Sequence, residues 1–399
     1  MITAEEALAK VLEHTLTSPS ISIALENAAG YTLAEDIYAD RDFPPFNRVA
    51  MDGIAFLFES LEKANSTFPI EAIQFAGEAQ KEMHHSLACI EVMTGAVLPL
   101  GCDTVIRYED IRIEEDKGGK LARLTIPVSD IKKGQHIHYQ GIDKRAKDIL
   151  LSKGIRISPA EIAVLATVGK TQVLVQAPPR VAVISTGDEL VEVNKTPLAH
   201  QIRMSNSYML ASALLPLGIQ AKRFHLTDEP EILRERLQEI LAQHDVILLS
   251  GGVSAGKKDY VPQILRELGV QQLFHKVAQK PGKPFWFGVE ASGKTVFALP
   301  GNPVSTYLCF CKYALPFISG KISKEQVVLD KAIKFNPPLT YFVPAMSYFK
   351  EGIHYANPFE GSGSGDFANL TQCDGFIELP ADKSYFEVGE VFTFIRFRS

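Results

Sequence analysis

Cysteine is scarce in this sequence. The five residues, Cys89, Cys102, Cys309, Cys311 and Cys373, are odd in number and scattered, with no C-x-x-C pair. Such a pattern builds neither a disulfide framework nor a zinc site. No apolar run approaches the length of a membrane-spanning helix. A basic excess is missing too: 41 Lys and Arg against 47 Asp and Glu give a net charge of −6, which argues against nucleic acid as a partner. There is no G-x-S-x-G elbow, no Ser-His-Asp arrangement and no cysteine in an activating motif, so covalent catalysis is not expected. His84 and His85 adjoin, and His136 and His138 would share a strand face. Neither pair has a third ligand at useful spacing, so all four read as structural or solvated.

What remains is the composition of a globular chain, 46% apolar and 22% charged, and 399 residues exceed what one core organises. Two to four domains follow. The chain opens on an amphipathic helix with Thr3 and Glu6 as a capping box rather than on a signal peptide, and a reducing cytoplasm is the expected compartment. Short β-like pieces then run to about His138. "SPAEIAVLATVGK" reads as a helix with Ser158 as cap, Pro159 first, Glu161 closing the box and Gly169 past the end. From Arg180 continuously apolar strands alternate with helices, the pattern of a doubly wound, mostly parallel α/β domain covered on both faces. Beyond Lys321 the helices stop and a small β domain follows, with a Gly/Ser loop, "EGSGSGDF".

In an open parallel sheet, ligands bind where the strands end, because helix N-termini and loop amides converge there. The loops leaving these strands are "STGDEL", "TDEP", "SGGVSAGKKDY" and "LPGNPVS". The third nearly spells a P-loop, with Gly251, four residues, Gly256 and Lys257. Lys258 then stands where a magnesium-binding hydroxyl belongs, and an ammonium cannot ligate a metal. Its glycines would let amides approach an anion, while Asp259 at the helix start reads equally well as a cap. Asp188 and Glu189 form a carboxylate pair suited to a hard cation. Asp228, just before Pro230 with Glu231 three residues on, is explained by capping alone. In "HKVAQKPGKP", strand alternation would put Lys276, Ala278 and Lys280 on one face and a Pro-Gly turn would bring Lys283 near. Such lysines clamp a polyanion or simply protect an edge strand. "LPGNPVS" couples a tight turn to a helix with Asn302 as cap and Pro303 first.

The segments "PPFNRVAMDGIAF", "TGAVLPLGCDTVIRYED", "STGDELVE", "SNSYML", "SGGVSAGKKDY", "KPGKPFWFG" and "LPGNPVS", in this order over nearly the whole chain, resemble the MoeA family of molybdopterin molybdenumtransferases, related to the C-terminal domain of gephyrin. The resemblance implies a multidomain α/β plus β protein. An elongated connecting domain would take residues 1–44 and 139–177, an inserted β domain 45–138, the molybdopterin-binding α/β domain 178–322 and a C-terminal β barrel 323–399. It implies a homodimer with sites in clefts between subunits, and insertion of molybdenum from molybdate into adenylylated molybdopterin with release of AMP. The step would depend on a divalent cation, taken as Mg2+, and a transient contact with a molybdopterin adenylyltransferase would supply the substrate.

Carried over by position, Glu189 and Asp259 fall on acidic positions for the cation or adenylate phosphate, Asp228 on a third functional acid, and Lys276 and Lys280 on a basic pair. Asp52 of "AMDG" and Thr94 of "TGA" match cleft positions of the inserted domain. Thr186, Gly251, Gly252, Ser254, Lys283, Pro300, Gly301 and Pro303 complete the expected substrate-binding set. Arg48, Ile54 and Ile142 depart from the family pattern, standing where Ser, Tyr and Glu are usual. An adenylylating or nucleotide-hydrolysing enzyme on the same α/β domain, and a non-enzymatic gephyrin-like scaffold, remain the alternatives.

Overall fold

The computed structural model describes residues 1–16, 18–116, 119–252, 260–323, 325–359 and 367–398. The chain forms two compact units, one of Met1–Ser20 with Gln176–Ser399 and one of Ile21–Val175.

The first unit is built on a six-stranded sheet. Its strands, numbered in chain order, are β1 (Val181–Thr186), β2 (Lys222–Leu226), β3 (Val246–Ser250), β4 (Val270–His275), β5 (Trp286–Glu290) and β6 (Thr295–Leu299). Their spatial order is β2-β1-β3-β6-β5-β4. The first four are parallel, and β5 runs antiparallel to both β6 and β4. Alternate residues feed two cores: Val181, Val183, Val246 and Leu248 face one side, and Ala182, Ile184, Ile247 and Leu249 the other. This two-sided burial is why the strands read as unbroken apolar runs, and each such side chain contributes roughly 1.5–3 kcal/mol. The expected mostly parallel sheet is present; β5, which the sequence reading did not separate, supplies its antiparallel part.

The helix Ala4–Leu12 starts at the Thr3–Glu6 capping box. Its buried face, Ala4, Ala7 and Val11, joins the core that holds Val181 and Val183. This helix therefore packs on the α/β body. The same unit ends in a closed five-stranded barrel. Thr340–Lys350 pairs with Ile353–Pro358, which pairs with Gln326–Leu329, then Val391–Arg396, then Gly375–Leu379, and the ring closes on Thr340–Lys350. Phe394, Ile377, Val343 and Leu329 fill it.

The second unit holds a six-stranded sheet of Gly53–Phe56, Thr67–Gln74, Cys89–Val92, Thr104–Arg107, Ile111–Asp116 and Gly119–Leu124. Beside it, helix Pro159–Thr167, capped by the Ser158–Glu161 box, packs Leu165 with Leu33, Ile37 and Val173. Among the described residues no helix is long and apolar enough to cross a membrane.

Candidate active site

Topology alone brings the candidate residues of the first unit to one edge. The carboxyl ends of β2, β1, β3, β6 and β4 all lie there, because β4 is antiparallel to β5 and β5 to β6. Read along that edge, the chain presents Asp228 after β2, Glu189 after β1, Gly251 after β3, Gly301 after β6, Lys283 shortly before β5 and Lys276 after β4. At about 4.8 Å per strand the edge spans about 24 Å. Carboxylates occupy one end, glycine loops the middle and lysines the other.

The middle is tightly joined. Gly251 and Gly252 have φ of 101° and 68°. A Cβ on Gly251 would lie 2.8 Å from the Thr186 carbonyl oxygen, and one on Gly252 2.7 Å from Val261 Cγ2 and 3.0 Å from Thr186 Oγ1. Only glycine lets this loop lie against the end of β1. The Gly251 amide donates to the Leu299 carbonyl at 3.3 Å, so this glycine secures the loop rather than offering its own N–H. Gly301 lies alongside, 3.7 Å from Gly251 Cα by its Cβ direction. Pro303 begins the next helix with Asn302 at the cap, and the Thr306 hydroxyl donates to the Pro300 carbonyl at 2.5 Å. Thr186 is 4% exposed and its Oγ1 is buried without a hydrogen-bond partner among the described residues.

At the acidic end, Asp188 Oδ1 accepts from the Asp228 amide at 3.2 Å, and the Gly187 carbonyl accepts from His225 Nε2 at 3.0 Å. The Glu189 carboxylate folds back over Gly187. The helix Pro230–Gln243 is capped by Glu229 with no side-chain capping bond, which corrects the capping account of Asp228. These are hard oxygen donors of the kind a divalent cation prefers. Among the described residues no group of three His, Cys, Asp or Glu side chains forms a metal cluster. Asp259 and Ser254 lie outside the described residues.

The lysines do not sit on one strand. β4 ends at His275, Lys276 takes a left-handed φ of 71°, and Lys280 belongs to a separate strand, Gln279–Lys280, paired with Thr340–Tyr341 of the barrel. The alternation survives in burial, with Lys276 and Lys280 exposed and Val277 and Gln279 buried. The left-handed turn is held from both sides: the Ile2 amide donates to the Lys276 carbonyl at 3.4 Å and the Ala278 amide to the Ile2 carbonyl at 2.7 Å. Lys280 Nζ lies 5.3 Å and 5.6 Å from the stacked rings of Phe335 and Tyr341. Beneath the turn to Lys283, the buried Gln279 accepts from the Tyr313 hydroxyl and donates to Cys309 Sγ at 3.4 Å.

In the second unit, Asp52 Oδ1 accepts from both the amide and the hydroxyl of Thr94. These bonds hold its carboxyl below the usual aspartate range. The following Gly53 is obligatory, since a Cβ there would fall 1.9 Å from the Ile106 carbonyl oxygen. Arg48 lies 2.9 Å from His138 Nδ1, whose Nε2 meets Asp143 at 3.1 Å. His136, with a φ of 55°, stands outside the strand Ile137–His138, so the two histidines do not share its face. Ile54 is buried in the core of the second unit's six-stranded sheet, and Ile142 is 61% exposed. All five cysteines are free and buried, and burial pushes the thiols up, Cys102 to about 12 and Cys373 to about 11.

Sequence reasoning missed Asn206. It lies in the "SNSYML" segment, but its partners are 44, 95 and 100 residues away. Gln279 and Tyr313 were missed for the same reason.

An open, mostly parallel sheet with glycine loops, acids and lysines on its carboxyl edge defines an α/β ligand-binding enzyme domain. Residues 182–320 match the family model described as a probable molybdopterin binding domain. Residues 2–169 match the MoeA N-terminal region (domain I and II), and residues 326–397 the MoeA C-terminal region (domain IV). A molybdopterin molybdenumtransferase of Synechocystis sp. is 36% identical over 397 residues, 99% of each chain. One of Staphylococcus epidermidis is 33% identical over 98% of this chain and 94% of its own. The crystal structure of a molybdopterin biosynthesis MoeA protein from Pyrococcus horikosii superposes with a TM-score of 0.84 at 30% identity, covering 100% of both chains. The chain belongs to the MoeA family of molybdopterin molybdenumtransferases, transferases of molybdenum cofactor biosynthesis.

Proposed function

We propose that this chain inserts molybdenum from molybdate into adenylylated molybdopterin and releases AMP. The observation that carries the reading is the ordering along one sheet edge: carboxylates at β2 and β1, glycine loops at β3 and β6, lysines at β4 and before β5. The glycine loops would seat a phosphate. Lys276, Lys280 and Lys283 would hold molybdate or phosphate oxygens, each charge-assisted bond contributing about 1.5–3 kcal/mol. Asp228 would act as a further acid at the cation side, and Asp52 with Thr94 as substrate contacts of the second unit.

Glu189 and Asp259 would hold a divalent cation, magnesium in this reading, which supplies Lewis-acid charge to the departing AMP phosphate. The sulfur atoms that receive molybdenum belong to the substrate, in keeping with buried, unactivated protein thiols. The protein groups position reactants and screen charge. A homodimer, and a transient contact with the adenylyltransferase that makes the substrate, belong to the same proposal and rest on family membership.

The experiment is incubation with adenylylated molybdopterin, with and without molybdate and magnesium, beside a second reaction holding ATP and unmodified molybdopterin. Molybdate-dependent AMP release in the first and no adenylylation in the second are expected. Adenylylation by this chain alone would overturn the reading in favour of an adenylyltransferase. No molybdate-dependent AMP release in the first reaction would favour a scaffold, and insertion that survives removal of charge at both Asp259 and Lys276 would remove those residues from the site.

A further inference from the structure

Asn206 opens the helix Asn206–Leu214 and reaches two of the loops on the carboxyl edge. Its Nδ2 donates to Ser250 Oγ at 2.8 Å, to the Gly301 carbonyl at 2.7 Å and, less closely, to Thr306 Oγ1 at 3.2 Å. Ser250 is the last residue of β3 before Gly251, and Gly301 is the centre of the Pro300–Pro303 turn. The orientation of the carboxamide is fixed, because a carbonyl at 2.7 Å can only accept and must face the NH2 group. Oδ1 is thereby left buried without a partner among the described residues. A carboxamide serving only to fill the core would have both ends satisfied. Here the donor end is committed to two loops and the acceptor end is unmatched.

We infer that Asn206 is the positioning residue that sets the distance between the Gly251–Gly252 loop and the Pro300–Pro303 turn, and so the fit of the substrate's nucleotide phosphate between them. The inference rests on the functional reading above. Thr306 completes the clamp: its hydroxyl meets the Pro300 and Asn302 carbonyls, and its amide donates to Asn302. Beyond the Gly251 amide bond to the Leu299 carbonyl, Asn206 is the side chain that ties the two loops, and small displacements of binding groups are costly in affinity.

The test compares wild type, Asn206→Asp, Thr306→Val and, as a control on the same helix away from the clamp, Ser212→Ala. Asn206→Asp keeps the shape but replaces the donors with an oxygen that repels the Gly301 carbonyl. In the ligand-free full chain, exchange of the Gly251 and Thr306 amides should accelerate about tenfold or more in Asn206→Asp and stay at the wild-type rate in Ser212→Ala. In the AMP-release assay, KM for adenylylated molybdopterin should rise about tenfold while kcat stays within about threefold. Unchanged exchange in Asn206→Asp, or a fall in kcat at constant KM, overturns the inference. If Asn206→Asp fails to fold, Thr306→Val must show the same exchange and KM changes, and wild-type values there overturn it. Should wild type release no AMP, the functional reading falls, and the exchange rates alone decide the clamp.

Discussion

Thr94 donates twice to a single oxygen of Asp52, from its amide and from its hydroxyl, each at 2.6 Å. Both donors favour the ionised carboxylate, the hydroxyl more than the amide, and the Asp52 pKa is lowered. The bonds are intact above the unfolded-state pKa and are lost as the pH falls through the lower folded value. Carbon NMR titration should find the Asp52 midpoint below that of an unperturbed aspartate, and Thr94→Val should raise it. A midpoint at or above the ordinary value in wild type would contradict the paired geometry.

Gly251 and Gly301 adjoin but should respond differently to alanine. At Gly251 the backbone is left-handed and a Cβ meets the Thr186 carbonyl oxygen at 2.8 Å, so Gly251→Ala should destabilise by about 1–3 kcal/mol. At Gly301 the nearest atom lies at an ordinary 3.7 Å, and Gly301→Ala should stay within about 0.5 kcal/mol. Urea midpoints decide between them, and equal losses would show that the close approach to Thr186 is not what requires glycine.

Lys276 combines a left-handed backbone with the charge assigned to the oxyanion. Glycine relieves the backbone and frees the unfolded chain, effects of opposite sign, so Lys276→Gly should shift stability by less than about 1 kcal/mol. It should raise KM for molybdate about tenfold. Wild-type KM in this variant would remove Lys276 from the site.

Every cysteine is buried and every thiol is pushed up, desolvation being the largest cause. The native chain at pH 8 should resist a disulfide exchange reagent over minutes and react only when urea exposes the thiols. Transferase activity should survive alkylating conditions. Rapid labelling of one thiol with loss of activity would mean that the protein contributes sulfur chemistry of its own.

The legible parts of the molecule were those set by short-range chemistry. Capping boxes at Thr3 and Ser158, the Pro303 helix start and the glycines before it all announce themselves within four residues. Two-sided burial made β1, β3 and β6 plain. What depends on distant partners was hidden. Nothing local shows that Asn206 reaches Gly301, or that Ile2 bridges to Val277 and pins Lys276 in a left-handed turn. The alternation around Lys276 held but the continuous strand it suggested did not, because that turn ends β4, and the acids near Pro230 suggested a cap that Glu229 occupies without a side-chain bond.

AMP titrated into isotope-labelled full-length protein, followed through backbone amide shifts, tests the shared sheet edge most directly. The account predicts that Gly251, Gly252 and Gly301 shift together along one saturation curve, and that molybdate then perturbs Lys276 without displacing AMP. Saturating AMP that leaves all three glycines unmoved while shifting amides elsewhere would contradict it.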